Sequence, residues 1–517
     1  MSTPAMGASG GASGGDPNRG LITASIMLAT VMNSLDTTIA NVALPHMAGS
    51  VSASADQITW VLTSYIVASA IMTPMTGWLA GRFGRKLVFM TAIIGFTVAS
   101  ALCGAATSLG QIVIFRLLQG AFGAALVPLS QAVLMDVYPP EEQGPAMAIW
   151  GMGAILGPIV GPALGGWLTD AFSWRWVFYI NLPLGLLAGL GVFSFIHDGP
   201  RQAKSPFDFT GFALLSLTIG AFQLFLDRGD NKAWFESTEI WIEASVAGIA
   251  LILFIFHTLT AERPFIPLAL FKDRNFASAT MFGFFVGVLM FATLALLPPM
   301  LETLMGYPVV TTGLVTMPRG VGSLISMFIV GRMINRVDTR LMVGIGLTLS
   351  SISLLGMSGF SLQMDSRLVV TMGLAQGVGI GLVFVPLTTL GFATLDGRYR
   401  ADGAGVFTLM RNLGASVGIS IMQALLTENT QKVHSRLMEN LRPDNPVATA
   451  ALHGSPFSLT DPAGIAALEG EVSRQSAMVA YIDDFKMMFI LGIAVLPLLL
   501  FMRPPRRGGG TPHVAME

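Results

Sequence analysis

Stretches of about twenty apolar residues, separated by short breaks rich in Pro, Gly or charge, recur along the whole chain. A stretch of that length is what a helix needs to cross the hydrocarbon of a bilayer. The pattern predicts fourteen spans, over residues 20–44, 58–80, 86–107, 111–136, 145–169, 175–196, 208–227, 238–260, 276–300, 309–333, 341–361, 368–391, 402–426 and 484–502. The fold class is therefore an all-α polytopic membrane protein, because a segment in lipid must satisfy its own backbone hydrogen bonds. Only 11% of the 517 residues are charged, against roughly 25% in soluble domains. A formal net charge of −1 provides neither a basic surface for nucleic acid nor an acidic disordered tail. Cys103 has no second cysteine to pair with. The histidines (His46, His197, His257, His434, His453 and His513) do not fall at metal-ligand spacings, so no disulfide, metal or other cofactor is expected.

The first span follows a Gly/Ser/Ala-rich head with no basic cluster and no early small-residue cleavage site, so it reads as an uncleaved helix rather than a signal peptide. Lys and Arg favour cytoplasmic loops. Placing the N-terminus inside puts most of the 29 Lys and Arg residues on the cytoplasmic side, among them Arg82, Arg85, Lys86, Arg201, Lys204, Arg336, Arg340, Arg398, Arg400, Arg503, Arg506 and Arg507. An even span count then puts both termini in the cytoplasm. The sequence also repeats internally, as transporters commonly do. Gly77, Arg82, Lys86 and Leu87 after span two recur at the same spacing as Gly331, Arg336, Arg340 and Leu341 after span ten. Gln119-Gly120 with Pro128-Leu129 in span four is echoed by Gln376-Gly377 with Pro386-Leu387 in span twelve. Either short Gly/Arg hairpins recur by chance, or the chain is two six-helix halves. On the second reading, 1–19 is a tail, 20–196 the first half, 197–260 two inserted helices with a linker, 261–503 the second half with an outer loop at 428–480, and 504–517 a second tail.

LDTTIANVALP (Leu35 to Pro45), GWLAGRFGRK (Gly77 to Lys86), RLLQGAFGAALVPLSQ (Arg116 to Gln131), GPIVGPALGG (Gly157 to Gly166) and WRWVFYINLP (Trp174 to Pro183) follow one another along the first half. LDRG (Leu226 to Gly229), LFKDRNF (Leu270 to Phe276) and FTLMRNLGASVG (Phe407 to Gly418) continue the series. In order and spacing these motifs resemble those of the EmrB/QacA drug:proton antiporters of the major facilitator superfamily, over nearly the whole chain. The resemblance implies the major facilitator fold with fourteen transmembrane helices in a bacterial inner membrane, and export of drugs or toxic compounds in exchange for protons. It also implies a conformational gate at Gly77, Arg82, Arg85, Lys86, Arg336 and Arg340. One position departs: Gly81 stands where the family's loop usually has an acidic residue, which leaves the loop without its own carboxylate for a latch to arginine. Some members work with a periplasmic membrane-fusion adaptor and an outer-membrane channel. For residues 428–480, polar and in part helix-forming, that partnership is implied by the family alone, and a solvated spacer is the other reading.

Asp36 lies well inside span one, where an ionisable group costs about 2.5–3.5 kcal/mol on the milder insertion scale. Helical periodicity places Asn33, Asp36, Thr37, Ala40 and Asn41 on one face, so the carboxylate is expected to meet a watery cavity or partner helices rather than lipid. Arg116 lies at comparable depth in span four, and the family fold sets spans one and four side by side. Such a pair can load and unload a proton, because burial disfavours a bare carboxylate while a guanidinium beside it favours one. Arginine itself does not give up its proton readily. The structural alternative is a pair that only pins helices together. Gly153, Gly157, Gly161 and Gly165 form a bare strip along span five, which Pro158 and Pro162 should bend; it serves either as a pivot or as plain close packing. Arg319 and Arg411, the basic groups inside spans of the second half, either hold anionic substrates or bond to backbone carbonyls. Gln119, Gln131 and Gln376 complete the expected substrate cavity with Asn33, Thr37 and Asn41.

A primary pump would need a phosphate-binding loop, and no GxxxxGK[ST] is present. A membrane enzyme would need a nucleophile with its base, or paired carboxylates, at depth, whereas Asp36 stands alone. The expected partners are small molecules, protons and the bilayer. The leading reading is a proton-driven exporter; an exporter of one specific metabolite or an uncoupled channel remains as the alternative.

Overall fold

The computed structural model describes residues 18–196, 206–442, 444–452, 457–459 and 461–502. The first seventeen residues, Arg201, Lys204, Arg503, Arg506, Arg507, His197, His453, His513 and the 504–517 tail lie outside them. Among the described residues the chain is all-α with no strand. Its first part forms α1 (Arg19–Val51), α2 (Trp60–Met72), α3 (Met75–Phe83), α4 (Arg85–Ala105), α5 (Leu109–Gly123), α6 (Leu126–Val137), α7 (Pro140–Ala171) and α8 (Asn181–Phe195). Next come α9 (Phe209–Gly229) and α10 (Thr238–Thr260), then α11 (Arg274–Pro299), α12 (Val309–Met333), α13 (Thr339–Met357), α14 (Ser366–Ala393), α15 (Arg400–Asn440) and α16 (Pro462–Val495). Much of the scarce acidic charge marks where helices start. Asp208, Asp273, Asp338, Asp365 and Asp461 each accept a hydrogen bond from the first-turn amides of α9, α11, α13, α14 and α16.

Among the described residues, twelve helical runs are long and apolar enough to cross a membrane, where the sequence leads one to expect fourteen. The first two expected spans make the difference. α1 has the length, but Asn33, Ser34, Asp36, Thr37 and Thr38 dilute its apolar character. Span two is divided at Thr73-Pro74 into α2, of 13 residues, and α3, of 9, because proline cannot donate into the preceding turn.

Helix neighbours repeat along the chain. α1 packs on α7, α2 on α5, and α4 on α5 and α8; in the same order α11 packs on α15, α12 on α14, and α13 on α14 and α16. The two sets meet through α7 against α12 and through α3 and α6 against α15. α9 and α10 pair with each other, and α9 leans on both α2 and α15. The strip on α7 lies along α1: Gly153 meets Met27, Gly157 the Ser34 backbone, Gly161 the Thr38 hydroxyl and Gly165 Ile39. Pro158 leaves the carbonyl of Ala154 without its helical donor, and the Ser34 hydroxyl of α1 donates to that oxygen at 2.5 Å. Thr38 donates to the Gly157 carbonyl at 3.1 Å in the same seam.

α15 runs for 41 residues and α16 for 34. At 1.5 Å per residue α15 is about 60 Å long, roughly twice the hydrocarbon thickness, so both helices continue past the bundle. Beyond it they are tied by His434 and Glu469 at 2.8 Å. Much of the polar segment 428–480 is thus the projecting part of these two helices, with a short helix at Pro446–Leu452 between them.

Candidate functional site

Five elements converge on Asp36. Arg116 of α5 donates from one terminal nitrogen to Asp36 Oδ2 at 2.6 Å and to Gln119 Oε1 at 2.9 Å. Its Nε reaches back to the Val61 carbonyl of α2 at 3.1 Å. Gln119 Nε2 donates to Asp36 Oδ1 at 2.7 Å, and Asn181 Nδ2 of α8 donates to the same oxygen at 2.9 Å. Asn181 also donates to the Ser100 hydroxyl of α4 at 3.0 Å, and Ser100 donates to the Phe178 carbonyl. The guanidinium lies 4.2 Å from the Tyr65 ring centroid and 5.7 Å from that of Phe178. Cys103 Sγ donates weakly to Gln119 Oε1 at 3.6 Å. Every side chain named here is buried, Asp36 completely. Two opposite charges so enclosed are tolerable only because they pair with each other and take further hydrogen bonds from Gln119 and Asn181 and to the Val61 carbonyl.

The expected polar face of α1 is split. Asp36 and Ala40 turn inward to partner helices, Asn33 is half-buried, and Thr37 and Asn41 are exposed. The helical step of about 100° places 33, 37 and 41 along one line and 36 and 40 along the next. Asn33 joins the site at one remove, donating to the Tyr65 hydroxyl at 3.0 Å. Gln131 is buried on α6 away from this network, and neither of its amide atoms has a partner among the described residues. In the second half Arg319 of α12 donates to the Met290 carbonyl at 2.8 Å. Arg411 of α15 lies 5.7 Å from the Phe384 ring centroid, and Gln376 donates to the Thr293 hydroxyl at 3.0 Å. These three stand apart from Asp36.

At the end of the bundle that carries the Gly77–Lys86 loop, the halves are joined by charge. Arg85 pairs with Asp136, and Arg400 reaches Asp136 at 3.3 Å and the Met135 carbonyl at 2.9 Å. Asp402, in the first turn of α15, lies against Gly77, where any side chain would overlap it. It is close enough to Arg85 to interact electrostatically. The acid absent at Gly81 is therefore matched by acids elsewhere, at the end of α6 and across the interface on α15. Arg82 instead covers Trp78, Lys86 donates to the Phe193 carbonyl at 2.7 Å, Arg336 is exposed, and the Arg340 amide bonds to Asp338. Of the expected gate residues, Gly77 and Arg85 are the ones at the contact between halves.

Asn181, Ser100, Tyr65, Asp136, Arg400 and Asp402 are site residues that no sequence motif marks as functional. Asn181 lies within the WRWVFYINLP motif, and an amide in so apolar a run was the available signal.

A family model for the Major Facilitator Superfamily matches residues 26–419. The chain belongs to that superfamily. Within it, the fatty acid resistance protein FarB of Neisseria gonorrhoeae is 36% identical, covering 95% of this chain and 97% of its own. The multidrug export protein EmrB of Haemophilus influenzae is 35% identical, with 95% and 97% covered. The chain is thus an EmrB-like member. The proton:xylose symporter XylE, solved with 6-bromo-6-deoxy-D-glucose bound, has the same fold at a TM-score of 0.62 and 13% identity, covering 93% of this chain and 95% of its own. As a member of a transporter superfamily this is a multi-pass membrane protein.

Proposed function

We propose that the protein is a secondary active exporter of hydrophobic and amphipathic compounds, driven by proton antiport through alternating access. The observation that carries this reading is the enclosed Asp36, held by Arg116, Gln119 and Asn181 from two other helices. While the guanidinium stays in contact, the carboxylate is kept charged; when helix movement draws them apart, a bare buried carboxylate takes up a proton. Return of Arg116 expels it, and Arg116 keeps its own. The names of the relatives, multidrug export and fatty acid resistance, support compounds with a large apolar part.

The rest of the reading follows from this. The exposed Thr37 and Asn41 with Asn33, Gln119, Gln131, Gln376, Arg319 and Arg411 form the substrate path, the two arginines suiting anionic groups. The halves are 20–196 and 261–503, with 197–260 inserted between them. The α1–α7 seam is the pivot, and the charged contact between Arg85, Asp136, Arg400 and Asp402 closes the cytoplasmic side of an inner-membrane protein whose termini both face the cytoplasm. The projecting parts of α15 and α16 offer the surface for a membrane-fusion adaptor with its outer-membrane channel.

Proteoliposomes test the core of this proposal. Adding hydrophobic cations, anions and neutral drugs in turn should evoke proton movement for at least one class, and Asp36→Asn should abolish it. Asp36→Asn protein that exports at the normal proton ratio would remove Asp36 from the mechanism. Flux that simply follows voltage, without protons, would identify a channel instead.

A further inference from the structure

α16 carries a second enclosed carboxylate. Asp484 is fully buried, and neither oxygen has a hydrogen-bond partner among the described residues. Its helical neighbours Tyr481, Phe485 and Met488 belong to an apolar cluster with Leu354, Met357 and Phe360. An ionised carboxylate without a partner is strongly disfavoured in such surroundings, and taking up a proton removes most of that penalty.

The segment just before it mirrors the first half. Val-Phe-Tyr-Ile-Asn at Val177–Asn181 recurs as Val-Ala-Tyr-Ile-Asp at Val479–Asp483, immediately before Asp484. α8 packs on α1 and α4 as α16 packs on α11 and α13. Gln119 bonds to Asp36 of α1, and its repeat partner Gln376 bonds to Thr293 of α11. Thr293 thus occupies the place of Asp36, and Gly373 stands three residues before Gln376 as Arg116 does before Gln119. The second half keeps the amide, lacks the guanidinium, and carries its acid on its last helix instead of its first.

Asp484, Met488 and Gly492 recur every fourth residue and so share a face of α16. The Thr293 hydroxyl donates to Met488 Sδ at 3.7 Å, and Gly492 abuts Ser351. Gln376 Oε1 and the hydroxyls of Ser350 and Ser351 are unpartnered among the described residues. Ser350 and Gln376 border a cavity of about 20 Å³, room for about one water. The face of α16 that carries Asp484 thus meets the Thr293 and Ser351 hydroxyls at Met488 and Gly492.

The ionisable groups around it do not neutralise it. Asp483 pairs with Lys486 at 3.3 Å, and Glu428 of α15 pairs with Lys432. Arg411 of α15 lies over Phe384. Tyr481 is a phenol on the same helix, and Glu302 sits in the short helical turn after α11 that touches α16. The ionisable residues of α11 and α13 are Arg274 and Arg340, at the opposite end of those helices.

Resting on the antiport reading above, we propose that Asp484 is a second exchangeable proton site, occupied in this conformation and emptied when the second half rearranges. Each half would then carry one proton-binding carboxyl.

Infrared difference spectroscopy of the full chain in lipid tests this without any substrate, so its outcome is separable from that of the export assay. Wild-type protein should show the carbonyl band of a protonated carboxyl that Asp484→Asn lacks and Asp36→Asn retains. That band should shift in heavy water, as an exchangeable proton requires. Absence of such a band, or a band that never shifts, would overturn the proposal, the second result by showing a sealed acid. Asp484→Leu, which suits the apolar surroundings, provides the same comparison if the Asn variant fails to fold.

Discussion

Asp36 and Arg116 are more than a pair, because Gln119 and Asn181 bond to the same carboxylate. Removing one partner of a buried ion pair leaves an uncompensated charge and costs about 3–5 kcal/mol. Arg116→Ala is therefore expected to lower the thermal unfolding temperature of purified protein markedly. Asp36→Asn combined with Arg116→Ala should lower it less than Arg116→Ala alone, because no unpaired charge then remains, and a double-mutant cycle in detergent measures the difference. At this scale the sequence was partly legible. An Asp and an Arg in otherwise apolar runs stand out, since their burial needs an explanation. Ser100 and Tyr65 do not, because a neutral hydroxyl in a span stands out far less than a charge, and the amide of Asn181 is only a weak signal. Their roles become visible only when α2, α4 and α8 are brought around α1.

Elements were legible where hydropathy governs them and less so where a specific bond does. Thr73-Pro74 ends α2 within an apolar run, a break that hydropathy passes over. α15 and α16 continue well past their apolar portions because the Glu, Ala, Arg and Gln of 428–440 and 462–480 favour helix while lowering hydropathy, so the spans read short. The glycine strip of α7 was evident from its spacing, but its partner was not. Ser34 is that partner, supplying the donor that Pro158 removes. Ser34→Ala should leave the Ala154 carbonyl buried without a donor, at a cost of about 1–3 kcal/mol, readable as a lower unfolding temperature. Gly157→Leu places a side chain against the Ser34 backbone and should abolish transport even where protein reaches the membrane, which surface expression and uptake assays separate.

For the molecule as a whole, the two sets of helices are tied together at the loop end by Arg85 and Arg400 on Asp136, with Asp402 across the interface, and by Asn335 donating to the Glu141 carbonyl at 2.6 Å. No local pattern foretells this, since the acids lie far in sequence from the Gly77–Lys86 loop they serve. Spin labels on Glu142→Cys and Arg336→Cys, both exposed sites, should report a short separation. Asp136→Asn with Asp402→Asn should shift that distribution outward. An unchanged distribution would mean that apolar packing of α7 on α12 closes this end by itself. Labels of that kind require a background without other reactive thiols, and the native one is well placed. Cys103 is fully buried, in contact with Gln119 beside the Asp36 pair. The protein therefore contains its own clock: a small maleimide can reach Cys103 only while that network is parted, so the alkylation rate counts openings directly. Any condition that speeds transport by parting the charges should speed alkylation in proportion.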